Sequence, residues 1–529
     1  MASSTTSSSA DSQSPPHTTT TSTPDFFELD NEEFDEFEED DEFEEYSSEF
    51  PNSNQQSTSK MQNLLNRLAS EPVPLRVHNI LIKGNTKTKD SVIEIELEVF
   101  KSCSTMQELI IAARKVQIGL EKLGVFDSVS VTLDSGPKEL PRTSNVVVEV
   151  VEAKSPITGD IGVFSKPEAK SWSVEGALKF KNLIGYGDLW DGSLAYGWNQ
   201  SSEISAGVSL PRFKGLITPV AARVSLLSQD WLKLSSYKEQ TLGLSLGLLS
   251  SENHDLSYSL SWRTLSDPSQ VSSSTVRRQL GHSLISALKH TFKIDRRDSP
   301  IRPTSGYAFL STSQIGGLIP DYRSLRFFRQ EFDFRFALPL GFYHAALNFG
   351  ISAGVVLPWG SGSSNMASYL PERFFLGGNS SPVCSVGGPT SVLGFKSRGL
   401  GPAEPRRRIR ENAPSENSDS TPEMDYVGGD LAVTAFADLS FDLPLKVLRD
   451  SGIHGHAFAC TGSLNKLTEN AYRDLSFQKF RESFRSSAGI GVILPTKLFR
   501  MEVNYCYILK QQENDRGKTG LQLSFSSPW

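Results

Sequence analysis

From about Gly159 to the C-terminus, apolar and polar residues alternate with a period of two in a succession of short runs. Leu242, Leu244, Leu246 and Leu248 alternate with Thr241, Gly243, Ser245 and Gly247. Leu256, Tyr258, Leu260 and Trp262 alternate with Ser257, Ser259 and Ser261. Phe328, Phe332, Phe334 and Phe336 stand opposite Arg329, Glu331, Asp333 and Arg335. Successive strand side chains point to opposite faces, so each run predicts a strand with one greasy face and one small or charged face. Sixteen such strands are expected, eleven before residue 371 and five after residue 402. Apolar-out, polar-in strands of about ten residues are the pattern of a membrane β-barrel. A soluble sandwich also alternates, but inward charges and aromatics near strand ends favour the barrel. An even strand number lets a closed antiparallel barrel keep both ends on one side, and closure removes an edge that lipid cannot satisfy.

Ahead of the barrel, residues 75–154 read as a small α+β layer. Arg76–Ile82 alternates and ends at Gly84-Asn85, a strand followed by a turn. Lys89–Val99 has helical character, and Thr105-Met106-Gln107-Glu108 is a capping box. It opens a helix with Met106, Leu109, Ile110, Ala113, Leu120 and Leu123 as its apolar positions. The helix is expected to stop at Gly124, and Ser128–Leu133 and Asn145–Val151 follow as strands. The free edge of such a sheet can accept an extended chain by main-chain pairing, or the domain can serve as a rigid spacer.

Between strands eleven and twelve the pattern breaks at Pro371–Pro402, a stretch rich in Gly, Ser and Pro. It also holds Phe374, Phe375, Leu376, Val392, Leu393 and Phe395, so the loop is expected to fold back into a cavity. Its glycine pairs, Gly377-Gly378 and Gly387-Gly388, permit unusual backbone angles, and no Gly-Lys-Ser/Thr follows them to make a phosphate cradle. The tail, Ala403–Asp425, is hydrophilic and carries Arg406, Arg407, Arg408 and Arg410, read as a solvated run. A second connection, Leu464–Ser486, has helical spacing at Leu475, Phe477, Phe480 and Phe484, which suits a membrane interface.

Composition sharpens this reading. The net charge of −8 conceals an uneven distribution, because Asp25–Phe50 carries fifteen acidic residues and no basic one, which leaves the rest of the chain about +7. Residues 1–70, Ser/Thr-rich and then acidic with Phe34, Phe37 and Phe43, are expected to be a disordered arm. The chain contains no apolar run of the roughly eighteen residues a membrane helix needs. The N-terminus has neither the basic start and apolar core of a secretory signal nor an Arg-rich presequence pattern. Four scattered cysteines, Cys103, Cys384, Cys460 and Cys506, read as free thiols. His454 and His456 share a strand face without a third ligand, so a lumen-facing polar pair is preferred to a metal site. Asp295–Pro300 reads as a charged rim turn. Without a nucleophile motif, zinc spacing or phosphate loop, no catalytic residue, cofactor or metal is proposed.

The strand-helix-helix-strand-strand domain, the sixteen strands and the LGG…SVLGF…GLGP loop together resemble the superfamily of POTRA-plus-barrel proteins that insert β-barrels into outer membranes. The resemblance covers about residues 75–529, with Gly124 and Phe126 standing in the POTRA hallmark. In that family the long loop enters the lumen and carries Val/Ile-Arg-Gly-Phe. Here Val392-Leu393-Gly394-Phe395 stands in that place, with Leu393 where arginine is usual. Arg373–Gly378 and Asp425–Gly429 also match, and the whole looks most like the barrel subunits of mitochondrial sorting and assembly machineries. Lys518-Thr519-Gly520-Leu521-Gln522-Leu523-Ser524-Phe525 fits the mitochondrial β-signal: a last strand with Leu521, Leu523 and Phe525 toward lipid and Gly520 allowing close backbone approach.

The resemblance implies an all-β transmembrane barrel at 159–529, with a lumen-folding loop at 371–428, in the mitochondrial outer membrane. It places the POTRA-like domain in the intermembrane space. The implied partners are unfolded β-barrel precursors, other subunits of a sorting and assembly complex, and outer-membrane lipid, with no nucleic acid. The expected function is insertion by strand exchange at a gate between the first strand (about Gly159–Ser165) and the last (Lys518–Ser526). A passive pore or protein-translocating channel, including a chloroplast outer-envelope member, is the alternative.

Overall fold

A computed structural model describes residues 72–526, apart from 155–156, 167–170, 198–200, 213–217, 321–323, 361–366, 379, 385, 390, 408–422, 468–475 and 496–499. The acidic arm, with Phe34, Phe37 and Phe43, lies outside the described residues.

The N-terminal domain runs β1 (Arg76–Lys83), α1 (Asp90–Leu97), a 3-10 turn (Glu98–Ser102), α2 (Met106–Lys122), β2 (Phe126–Ser135) and β3 (Thr143–Glu152). The capping box forms as the sequence predicts. The Thr105 hydroxyl accepts the Glu108 N–H, and the Glu108 carboxylate accepts the N–H groups of Ser104 (2.8 Å) and Thr105 (3.3 Å). These satisfy N–H groups that a helix start otherwise leaves unpaired. At the other end Gly124 takes φ +70°, a left-handed conformation that costs glycine little.

α2 buries Leu109, Ala112, Val116 and Leu120 against the sheet, where Phe126, Val146, Val148 and Val150 meet them. Ile110, expected on the inner face, is exposed together with Ile111. Spacings of three, four and four from Leu109 give a stripe one residue wide per turn, and Ile110 falls beside it. β1 pairs in parallel with β3 and β3 antiparallel with β2, so β1 is an edge of the sheet.

Sixteen further strands make one antiparallel sheet. Its first eleven are β4 (Ile157–Lys166), β5 (Ser171–Lys181), β6 (Leu189–Gly197), β7 (Ser202–Leu210), β8 (Val220–Asp230), β9 (Lys238–Ser250), β10 (His254–Ser266), β11 (Gly281–Asp295), β12 (Gly306–Gly316), β13 (Phe327–Pro339) and β14 (Ala346–Pro358). A two-stranded hairpin within the long loop, β15 (Ala403–Pro405) and β16 (Met424–Tyr426), comes next. The sheet resumes with β17 (Leu431–Asp442), β18 (His454–Asn465), β19 (Arg485–Pro495), β20 (Arg500–Lys510) and β21 (Gly520–Ser526). β14 pairs directly with β17, so the loop leaves the wall without breaking its ladder.

The alternation sorts side chains as expected. On β13, Phe332, Phe334 and Phe336 are exposed outward, while Asp333 and Arg335 are buried inside and pair with each other at 2.7 Å. On β20, Tyr505, Tyr507 and Leu509 face out and Glu502 and Asn504 face in. No helix among the described residues is long and apolar enough to cross a membrane, and the strands carry the apolar exterior instead. Because strand directions alternate, the connections after β5, β7, β9, β11 and β13 lie at the mouth that bears the N-terminal domain. The long loop after β14 starts from the far mouth.

Candidate functional site

The loop turns inward from the far mouth and carries its own apolar core into the lumen. Phe374, Leu376, Val392, Leu393, Phe395 and Leu400 are all buried in one cluster with wall residues that include Ile285, Val356, Cys460 and Cys506. The wall gives way where it must: a Cβ on Gly462 would stand 2.7 Å from the Val392 side chain. Inside the loop the two glycine motifs of the sequence meet. Gly378 donates its N–H to the Phe395 carbonyl at 3.1 Å, and Leu376 bridges to Leu400. Gly377 has φ +106°, and a Cβ there would lie 2.3 Å from the Lys396 carbonyl oxygen.

The loop's tip crosses to the near mouth. The Val383 carbonyl accepts from Arg297 Nη1 at 3.0 Å, and the Cys384 thiol donates to the Ile301 carbonyl. The Asp295–Pro300 turn, expected as a charged rim, therefore also holds the loop tip, with Arg297 paired to Asp295 at 2.7 Å.

Polar contacts tie the loop's beginning and end to the wall. Glu372 receives Arg263 of β10 at 2.9 Å and Arg329 of β13 at 3.5 Å. Arg373, fully buried, donates to the Ser368 and Val427 carbonyls. Arg398 lies between two rings, its guanidinium carbon 3.4 Å from the Trp231 centroid and 3.8 Å from that of Phe375, and it donates to the Tyr237 hydroxyl at 3.0 Å. Asp425 accepts from the Ser236 hydroxyl at 2.6 Å, the Ser273 N–H at 2.8 Å and Arg406 at 2.8 Å. Arg406 is thus a structural partner of the loop base, not part of a solvated run. Arg408 and Arg410 lie outside the described residues.

The chain before the last strand joins this loop. Lys518 N–H donates to the Gly394 carbonyl at 2.8 Å, Lys396 N–H to the Arg516 carbonyl at 2.9 Å, and Arg516 N–H to the Gly399 carbonyl at 2.8 Å. Lys518, expected inside the final strand, instead precedes it. β20 runs on to Lys510, whereas its pairing with β21 ends at Cys506 opposite Gly520, so residues 516–518 leave the wall and pair inward. Gly520 also differs in its reason. A Cβ there would meet nothing within 4 Å, and what the position requires is φ +104°. Leu521 and Leu523 are exposed on the outer face, as the β-signal pattern implies. The Phe525 side chain lies outside the described residues.

β21 lies beside β4, yet among the described residues no ladder joins them, and the sixteen-stranded sheet runs from one to the other. All the other neighbours in the sheet are joined by main-chain ladders, with register shifts only in β9–β10 and β19–β20. The seam is therefore the one junction in the described wall where the sheet presents strand edges to each other without main-chain pairing.

The N-terminal domain is fixed to the near mouth by two turns. Asn182, after β5, donates to the Thr88 hydroxyl at 2.8 Å, the Gly185 carbonyl accepts the Lys89 N–H at 2.9 Å, and Arg212 pairs with Glu96. The Thr86–Thr88 turn is itself held by Glu152 at the end of β3. Burial alone would raise the Glu152 pKa, but hydrogen bonds from the Thr86 and Thr88 hydroxyls and the Thr88 and Lys87 N–H groups pull it down to about 2. Beside this junction a mainly apolar groove of about 960 Å³ runs along β1 and α1, lined by Ile80, Ile82, Ile95, Leu97, Tyr186 and Leu210.

His456 donates or accepts at both ring nitrogens, 2.7 Å from Asp438 and 2.7 Å from Asn504, and His454 contacts the Gly452 carbonyl at 3.0 Å. Both are buried on the inner face of β18, as a lumen-facing pair. All four cysteines are free. Of the helix expected between Leu464 and Ser486, one turn and a half is seen at Phe477–Glu482, with Phe477 exposed, and Leu475 is outside the described residues.

Glu372 and Arg398 were not among the candidate residues. The usable signal was chemical: Arg263 and Arg329 point into the lumen from alternating strands, and buried charges require partners. Nothing local, however, says that the partner stands more than forty residues away.

A family model described as the Omp85 superfamily domain matches residues 182–529, and one for the surface antigen variable number repeat, the POTRA domain, matches residues 75–153. The chain is similar to the sorting and assembly machinery component 50 homolog of Mus musculus, at 27% identity over 460 residues, covering 84% of this chain and 88% of that protein. It is similar also to a SAM50-like protein of Schizosaccharomyces pombe, at 23% identity, covering 90% and 96%. Among solved structures, BamA from Haemophilus ducreyi lacking POTRA domains 1–3 shares the fold, with a TM-score of 0.67 at 16% identity over 85% of this chain and 84% of that one.

Proposed function

The chain belongs to the Omp85 superfamily, and from that membership we propose that it assembles β-barrel precursors into the mitochondrial outer membrane, within a sorting and assembly complex. We take residues 75–154 as its POTRA-like domain and 159–529 as its barrel. The relatives' names, sorting and assembly machinery component 50 homolog, support this reading. The observation that carries the finer mechanism is the unladdered meeting of β4 and β21. An unpaired strand edge is expensive in lipid, where no water replaces the missing partner. A precursor strand that pairs with such an edge gains ladder hydrogen bonds at each step. Insertion then becomes strand exchange with no chemical reaction. The groove beside the edge strand β1 suits an extended, alternately apolar segment on its way to the seam.

A passive pore needs neither the N-terminal domain nor a loop packed through the lumen. The buried cluster of the loop argues against it.

Cysteines placed at facing positions of β4 and β21 test the mechanism. Oxidation is expected to stop assembly of an imported barrel precursor and reduction to restore it. Assembly that continues across a closed, cross-linked seam would rule out the gate.

A further inference from the structure

In the family this chain resembles, the loop motif carries an arginine, and here that position is Leu393. Leu393 is buried in the apolar cluster, where its carbonyl accepts from the Ser487 hydroxyl. The loop nevertheless crosses the lumen to the opposite rim, so something else must hold it. From the contacts on its two flanks we infer that Glu372 and Arg398 are the residues that position the internal loop, by an ionic contact with wall arginines and a cation held between aromatic rings. This inference rests on the assembly reading given above.

The arrangement around Glu372 separates anchoring from wall stability. Arg263 already has Glu239 as a partner on the wall, at 2.9 Å, and Arg329 already has Glu331. The wall arginines are thus neutralised by wall carboxylates, and the bonds to Glu372 are additional. Removing the Glu372 charge frees the loop without leaving a buried arginine alone. The acid comes from the loop and the cations from the wall.

Arg398 completes the hold on the side of β8 and β9. It stands at φ +52°, an unusual backbone conformation for a residue with a side chain, and is buried. Among the described residues no carboxylate lies within ion-pair distance of it; the Trp231 and Phe375 faces and the Tyr237 hydroxyl take that role. A planar guanidinium can lie between two rings and still donate at its edge, which an ammonium cannot do equally well.

Between Glu372 and Arg398 lies the whole stretch that reaches the loop tip, the Gly394 carbonyl and the leader of β21. Fixed at both flanks, the loop works as a strut from the β8–β13 wall to the last strand. If the flanks are released, the lumen opens and the leader of β21 loses its support.

The test uses the full-length protein with Glu372→Gln and Arg398→Met, singly and together. Channel conductance is read in planar bilayers of phosphatidylcholine and phosphatidylethanolamine, and precursor assembly in mitochondria carrying only the variant. Folding of the barrel is checked by its heat-modifiable mobility on semi-native gels. Folded variants with conductance raised about twofold or more, and assembly reduced about tenfold in the double variant, are expected from loss of buried anchors. Folded variants with wild-type conductance overturn the inference. If Arg398→Met blocks folding, Arg398→Lys keeps the charge, loses the stack, and decides by the same conductance reading. Conductance reports the loop alone, so a wild-type protein that inserts no precursor would defeat the assembly reading and leave this inference standing.

Discussion

The Gly394 carbonyl accepts the backbone N–H of Lys518 at 2.8 Å, joining the middle of the internal loop to the chain just before the last strand. The pairing continues through Lys396, Arg516 and Gly399. A segment at the seam is therefore supported from inside the lumen as well as along the wall. Any movement of β21 that opens the seam must either carry the loop with it or break these bonds.

Gly394 itself should tolerate no side chain. It has φ +89°, and a Cβ would approach the Ser487 Cβ to 3.1 Å. The left-handed conformation alone costs an L residue about 1–2 kcal/mol. Gly394→Ala is expected to lower the temperature of the heat-modifiable transition and to weaken precursor assembly more than it weakens folding. Equal loss of both would show that the carbonyl contact to Lys518 is only structural.

Acid should loosen the Thr86–Lys89 turn of the N-terminal domain. The Glu152 carboxyl is held at about 2 in the folded protein, below its ordinary value near 4.5. Its contribution to stability is therefore complete above about pH 4.5 and is lost as pH falls toward 2. The protection of the Thr86–Lys89 amides, their exchange measured against the intrinsic rate at each pH, is expected to fall over that window in the wild type. In Glu152→Gln it should be low already at pH 7. A wild-type turn equally protected at pH 6 and pH 3, after that correction, would show that Glu152 does not hold it.

The strands were legible because a barrel wall imposes one rule on every residue: the period-two pattern assigns Phe334 to lipid and Asp333 to the lumen without reference to anything distant. The loop was legible for a related reason, since Phe374, Val392 and Phe395 among glycines and serines have no use in water. What it touches was not legible. The Gly394–Lys518 pairing joins main-chain groups, on which side-chain chemistry leaves no trace. Arg398 has aromatic partners in place of an acid, so no opposite charge marks its contact. At Gly520 the residue was recognised but its cause was not, because close approach and a positive φ both select glycine.

Restoring the family's arginine should harm this protein. Leu393 sits in an apolar cluster with Cys460 and Cys506, and the acids on the adjoining inner wall already have partners, Asp438 keeping one buried oxygen, Oδ2, without a hydrogen bond. Glu502 pairs with Arg500 at 2.7 Å and Asp438 with His456 at 2.7 Å. An arginine at position 393 would be buried among apolar side chains with only the single unbonded oxygen of Asp438 left to meet it, and a buried cation left without a full partner costs up to about 3–5 kcal/mol. Leu393→Arg is therefore expected to fold poorly on its own, and removal of the competing cation in Leu393→Arg/Arg500→Leu to recover part of the loss. The measurement is the yield of heat-modifiable barrel in the single and double variants. A single variant that folds and assembles precursors like the wild type would mean that Asp438 can serve the loop as an open acid, and that Glu372 and Arg398 do not hold it alone.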